Sequence, residues 1–170
     1  MALIKTLIFD LDGTLADCKE LHQQSFRAAV KQMCPDATYT DEEVEGLPTK
    51  EKMKLLKSRG YEFSEDDLNR VRQALTQQNI TEFVKFNPEL KDHFDRLSMK
   101  YKLCLASNAT QKFVYKTLDI LGITQYFYMI NTATNYPAKP NPLTFVDCMN
   151  GTASNSYNTV IFEDSPVGLE

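Results

Sequence analysis

The run Leu7-Ile8-Phe9-Asp10-Leu11-Asp12-Gly13-Thr14-Leu15 constrains this chain more than any other. Leu3, Ile4, Leu7, Ile8 and Phe9 form an apolar stretch that reads as a strand buried on both faces. It ends abruptly in two carboxylates one residue apart. A continued period of two would aim Asp10 and Asp12 to the same side, but Gly13 breaks the strand, so both carboxyls belong at the carboxyl edge of a sheet. In an open α/β sheet that edge is where ligands bind.

Downstream the rhythm changes twice. From 17 to 86 every periodic stretch is helical. Leu21, Phe26, Ala29, Val30 and Met33 stripe a helix over 17–34 that Pro35 stops. Thr40-Asp41-Glu42-Glu43 is a capping box opening a short helix that Gly46-Leu47-Pro48 ends. A helix over 49–59 stops at Gly60, and Ser64 caps a long one reaching about Phe86.

Asn87 and Pro88 then open another helix as N-cap and first residue. Beyond it, strands over 101–106, 127–130 and 159–162 alternate with helices over 110–121, closed by Gly122, and 142–150. That alternation predicts an α/β fold with a parallel sheet and right-handed crossovers. Residues 1–16 and 87–170 form the core, and residues 17–86 are an inserted all-helical cap. Glu163 to Glu170 reads as a loop entering a helix that the sequence leaves in its first turn, so a C-terminally truncated form is expected, with a genuine short variant as the alternative.

Composition removes several function classes. A length of 170 residues suits one domain with a modest insertion, and a net charge of -4 without a basic run disfavours nucleic acid or an anionic membrane as partner. No apolar run approaches the ~20 residues of a membrane span. An N-terminus that carries the site strand is not a cleaved signal peptide. Cys18, Cys34, Cys104 and Cys148 lie far apart without CxxC spacing. They read as free thiols of a reducing, cytoplasmic compartment rather than a zinc site or disulfide framework. Asn79, Asn108 and Asn150 each open an Asn-x-Ser/Thr match and are treated as chance.

Asp10-Leu11-Asp12-Gly13-Thr14 resembles the signature of the haloacid dehalogenase superfamily. The chain supplies the rest of that pattern in order: Ser107 after a second strand, Lys139 before a helix, and Glu163-Asp164 after a later strand. The resemblance implies a three-layer Rossmann-like core whose helical cap closes over the substrate. Phe162-Glu163-Asp164-Ser165-Pro166-Val167-Gly168-Leu169 and the position of the insert are similar to the branch containing β-phosphoglucomutase, phosphoglycolate phosphatase and small sugar-phosphate phosphatases.

These residue types suit phosphate monoester hydrolysis, in which an anionic nucleophile must approach a dianion and an alkoxide must leave. Asp10 would be the nucleophile, forming an aspartyl-phosphate. Asp12 would protonate the leaving oxygen and then take a proton from water; the dehalogenase branch lacks this second Asp, which favours phosphoryl transfer. Glu163 and Asp164 bring the cleft to four carboxyls. At about 4 Å and an effective dielectric near 20, each like-charge pair costs roughly 4 kcal/mol, so a divalent cation is expected. Oxygen ligands that share the ion with a phosphate suit Mg²⁺. By resemblance, its ligands are the Asp10 carboxylate, the Asp12 main-chain carbonyl and Asp164, with Glu163 close by or ligating.

Ser107-Asn108-Ala109 lies between a strand and a helix, where N–H groups and the Ser107 hydroxyl can meet phosphate oxygens. Lys139 would add a compact positive charge to the transferring phosphoryl group. The resemblance also places Asn108 at the substrate and sets Asp17 and His22 at the cap hinge, His22 positioning the acid/base or a substrate hydroxyl. It makes Thr49 and Lys50, within Gly46-Leu47-Pro48-Thr49-Lys50, part of the cap loop that selects substrate. The mutase has an Arg where this chain has Thr49, which weakens the mutase reading.

The expectation is thus a Mg²⁺-dependent phosphatase for a small-molecule phosphate monoester, monomeric or weakly self-associating. The alternatives are a β-phosphoglucomutase-like phosphomutase and a catalytically weak binding protein.

Overall fold

The computed structural model describes residues 3–44 and 47–169. The apolar run at the start forms strand β1 (Thr6–Phe9), every residue of which is buried. Three further strands, β2 (Lys102–Ser107), β3 (Phe127–Thr132) and β4 (Thr159–Phe162), complete a sheet of order β3-β2-β1-β4. Every pairing is parallel, with Ile8 opposite Cys104 and Ile161. A parallel sheet needs crossovers, and helices supply them.

Both faces of the sheet are covered by helices. Helix α5 (Pro88–Ser98) starts as its sequence demands, with Asn87 Oδ1 accepting the Leu90 N–H at 3.0 Å and Pro88 at the first position. It brings Phe94 against Phe9 and Phe127, with ring centroids 5.3 and 5.4 Å apart. Alternation turns Ile8, Cys104 and Ala106 to the opposite face, where Cys148 of helix α7 (Leu143–Gly151) packs on them. Helix α6 (Gln111–Leu121) ends at Gly122, whose φ of +71° is the left-handed cap that glycine adopts without strain.

The chain divides into two compact units, Met1–Lys19 with Thr81–Glu170, and Glu20–Ile80. The second is helical. It holds most of α1 (Lys19–Met33) and α4 (Glu65–Phe83), together with α2 (Asp41–Val44) and α3 (Thr49–Ser58). Its own core is Phe26, Ala29, Val30, Met53, Leu56 and Leu68, three helices contributing to one apolar cluster. The capping box is half formed by the reach of Glu43 Oε2 back to the Thr40 N–H at 2.8 Å. Gly46, expected to end α2, lies outside the described residues.

Helix α4 stops at Phe83 rather than near Phe86. Asn87 must be extended to cap α5 (φ -121°, ψ 103°), and Pro88 disfavours helical backbone before it, so the chain unwinds ahead of the cap. Strand β3 runs two residues past Ile130, because Asn131 and Thr132 stay paired with Ala106 and Ser107. At the other edge, Ile161 and Phe162 of β4 remain exposed despite their apolar character.

Candidate active site

Parallel pairing sets the carboxyl ends of β1, β2 and β4 side by side, with Asp10 just past β1, Ser107 closing β2 and Glu163 just past β4. Asp10 extends the ladder by donating its N–H to the Phe162 carbonyl at 2.9 Å, which seats it next to Glu163. Asp10, Glu163 and Asp164 each offer a carboxylate oxygen, and the three oxygens lie within 4.8 Å of one another. Asp10 is only 6% exposed. Burial pushes its carboxyl from the usual 3.8 up to about 6, and the charges of Glu163 and Asp12 push the same way, while the Lys139 ammonium opposes them.

Lys139 reaches this cluster from the loop between β3 and α7. Its Nζ donates to Asp10 Oδ1 at 2.5 Å, to Glu163 Oε2 at 2.6 Å and to the Ala106 carbonyl at 3.2 Å. An ammonium has three protons, and three acceptors meet them. That matters because the side chain is 3% exposed, and a buried cation without partners would not persist. Glu163 is equally enclosed: its second oxygen accepts from the Ser165 N–H and hydroxyl at 3.3 and 2.7 Å.

Gly13 explains why the motif carries a glycine. Its φ is +88°, and a Cβ built there would overlap the Asp164 carboxylate. The close approach of Asp164 to the turn after β1 therefore requires the missing side chain. Asp12, two residues past Asp10, has its carboxylate beside the buried Cys18 thiol; burial chiefly, then the Asp12 charge and hydrogen bond, push that thiol well above its usual range.

Ser107 ends β2 and is buried, its Oγ accepting the Ala109 N–H at 3.1 Å. Asn108, next in the chain, accepts the Lys139 N–H on Oδ1 at 2.7 Å and aims Nδ2 at the Lys139 carbonyl, 3.4 Å away. Asp10, Ser107, Asn108, Lys139, Glu163 and Asp164 are thus gathered at one sheet edge by hydrogen bonds or close carboxylates, with Asp12 in the turn beyond. Three other expected residues belong to the helical unit: His22 in the first turn of α1, and Thr49 and Lys50 at the start of α3. Asp17 accepts the Lys19 N–H at the opening of α1, at 3.2 Å.

Sequence reasoning missed the groups that hold the Lys139 loop. The Tyr136 hydroxyl donates to Asp147 Oδ2 at 2.6 Å, which raises the phenol to about 12, and Asn131 Nδ2 donates to the Thr144 carbonyl at 3.0 Å. Tyr, Asn and Asp at these spacings carry no motif, so nothing local in the chain signals them.

The carboxylates suit a hard cation. Counted ionised, three carboxylates against one ammonium leave two negative charges, and all donor atoms are oxygen. A divalent ion matches that deficit.

Fold and site together define a Rossmann-like α/β protein with an acidic, lysine-countered centre at the carboxyl edge of its sheet. Residues 7–170 match the family described as haloacid dehalogenase-like hydrolase, and the chain belongs to that family. Among its relatives, a phosphorylated carbohydrates phosphatase of Thermotoga maritima is 25% identical, the match covering 98% of this chain and 79% of the relative. A phosphoglycolate phosphatase of Aquifex aeolicus is 23% identical over the same shares. Of solved structures, CbbY from Rhodobacter sphaeroides in complex with phosphate is similar at a TM-score of 0.81 and 20% identity, with 98% of this chain and 80% of that one covered. No described helix is long and apolar enough to cross a membrane.

Proposed function

We propose that the chain hydrolyses a small phosphate monoester through a covalent intermediate on Asp10. One observation carries the reading: Asp10, at the end of the central strand β1, is buried against Lys139 with Glu163 and Asp164 around it. An oxygen of Asp10 attacks phosphorus, the phosphorus–ester oxygen bond breaks, and Asp12 gives its proton to the departing alkoxide. Water then attacks the aspartyl-phosphate, Asp12 takes the proton, and the phosphorus–Asp10 bond breaks to release phosphate. Ser107 and neighbouring N–H groups at the end of β2 bind the phosphoryl oxygens, and Lys139 offsets charge beside the nucleophile.

Mg²⁺ would be held by the carboxylates of Asp10 and Asp164 and the main-chain carbonyl of Asp12, with Glu163 adjacent or ligating, and would neutralise phosphate charge as a Lewis acid. Substrate selection is assigned to His22, Thr49 and Lys50 of the helical unit, taken as the cap domain of residues 17–86. The names of the relatives support a phosphorylated carbohydrate or phosphoglycolate, and four free cysteines support a cytoplasmic setting.

The test is phosphate release from sugar phosphates, phosphoglycolate, nucleoside monophosphates, pyrophosphate and an aryl phosphate, with Mg²⁺ and with chelator, against Asp10→Asn as blank. Turnover should need both the metal and Asp10. A folded protein that released no more phosphate than the blank would overturn the reading, and conversion of a sugar phosphate to its isomer would make the chain a phosphomutase.

A further inference from the structure

We infer that Asn108 is a positioning residue, whose side-chain amide fixes the main chain at Lys139 and so holds the Lys139 ammonium on Asp10. Its consequence for catalysis rests on the phosphatase reading above; the clamp itself stands on geometry.

Lys139 has a demanding task for its place in the chain. It sits in the connection between β3 and α7, outside any strand or helix, and its ammonium must thread a long, flexible stem to three fixed acceptors at 2.5, 2.6 and 3.2 Å. Such a stem delivers its head reliably only if its Cα is fixed. Asn108 does this with one planar group, accepting from the N–H of Lys139 at 2.7 Å and aiming its NH₂ at the carbonyl of the same residue, 3.4 Å away. This double contact copies the exchange by which opposed antiparallel residues lock one another.

The rest of the loop is tied as well, through Tyr136 and Asp147 at 2.6 Å, but that tie lies three residues upstream of Lys139. Asn108 acts at Lys139 itself. Because Asn108 directly follows Ser107, the clamp also joins Ser107, assigned to the phosphoryl oxygens, to Lys139, assigned to the charge beside the nucleophile, and they keep a common frame at the end of β2.

The experiment compares the wild-type chain with Asn108→Ala and Asn108→Asp in two readouts. The first is the rate at which an amine-acylating ester labels Lys139, followed by peptide mass spectrometry in chelator. Burial protects Lys139 in the wild type; Asn108→Ala should label about tenfold faster, and Asn108→Asp, which keeps the acceptor for the Lys139 N–H but sets an oxygen against the Lys139 carbonyl, should fall between the two. The second is steady-state phosphate release with Mg²⁺. Asn108→Ala should lose about tenfold to a hundredfold in kcat with little change in KM, as expected when a catalytic group is displaced by ~1 Å. Asn108→Asp should recover part of kcat while its added charge raises KM.

Labelling of Asn108→Ala at the wild-type rate would overturn the clamp. So would a raised KM with unchanged kcat in that variant, which would mean that Asn108 touches substrate. If the wild type releases no phosphate above the Asp10→Asn blank, the phosphatase reading fails, and the labelling rates alone decide the clamp.

Discussion

Ion pairs of similar length do different work in the two units of this chain. In the helical unit, Arg59 meets Glu43 at 2.5 Å with side chains 33% and 39% exposed, and Arg27 meets Asp41 at 2.5 Å more exposed still. In the sheet unit, Lys139 meets Asp10 at the same 2.5 Å with both side chains under a tenth exposed. Water screens the first kind, so removal of a partner returns both charges to solvent at little cost. The second kind has given up hydration on both sides, and each charge depends on the other. Distance alone therefore says nothing about the role of a pair; its solvent does.

The sharpest break of that contrast is Lys139→Met. It leaves Asp10 and Glu163 buried without their cation, and should cost on the order of 3–5 kcal/mol of stability in chelator, as loss of one partner from a buried pair does. Urea unfolding at pH 7.5 measures this, and phosphate release should fall to the blank. If Lys139→Met unfolds at the wild-type urea concentration, the site is wetter than its burial implies.

A smaller effect comes from pH. In the metal-free chain Asp10 titrates near 6 rather than 3.8, chiefly because it is buried. A carboxyl raised on folding favours the folded state in its protonated form. Its contribution is full below about pH 4 and is lost as pH rises through 6. That loss corresponds to at most about 3 kcal/mol. Asp10→Asn removes this titration, so the stability of the variant relative to wild type should rise between pH 4 and pH 8, on top of a constant cost of leaving Lys139 one anion short. Unfolding curves across that range in chelator check the sign, and a gap that stays constant with pH would assign the effect to something other than ionisation.

The smallest effect belongs to the exposed pair. Arg59→Gln should leave both the melting temperature and phosphate release unresolved from wild type, and 1 M salt should change neither protein differently. A clear destabilisation would mean that the Arg59 contact to the Thr38 carbonyl, at 3.1 Å, carries the loop before α2.

Much of this architecture was legible locally. The Asn87-Pro88 start of α5, the Gly122 stop of α6 and the Gly60 stop after α3 are capping chemistry written in one or two residues, and all three are formed. The missed end of α4 has the same origin: its periodicity ran on toward Phe86, while a cap belonging to the next helix overruled it. The motif Asp10 to Thr14 announced a sheet edge because apolar strands end in paired carboxylates and glycine only under some constraint. The structure supplies part of that constraint, as Asp164 takes the space a Gly13 side chain would need.

By itself, the sequence determined the alternation of strands and helices, the helical insertion, and the identity of the charged residues at the candidate site, since each depends on near neighbours or on an ordered motif. Only the tertiary structure decided how those charges are partnered. Lys139 lies 129 residues from Asp10, 33 from Ala106 and 31 from Asn108. The order β3-β2-β1-β4 brings their ends together. Contacts across such separations arise from strand order and burial, for which no short stretch of chain carries a signal.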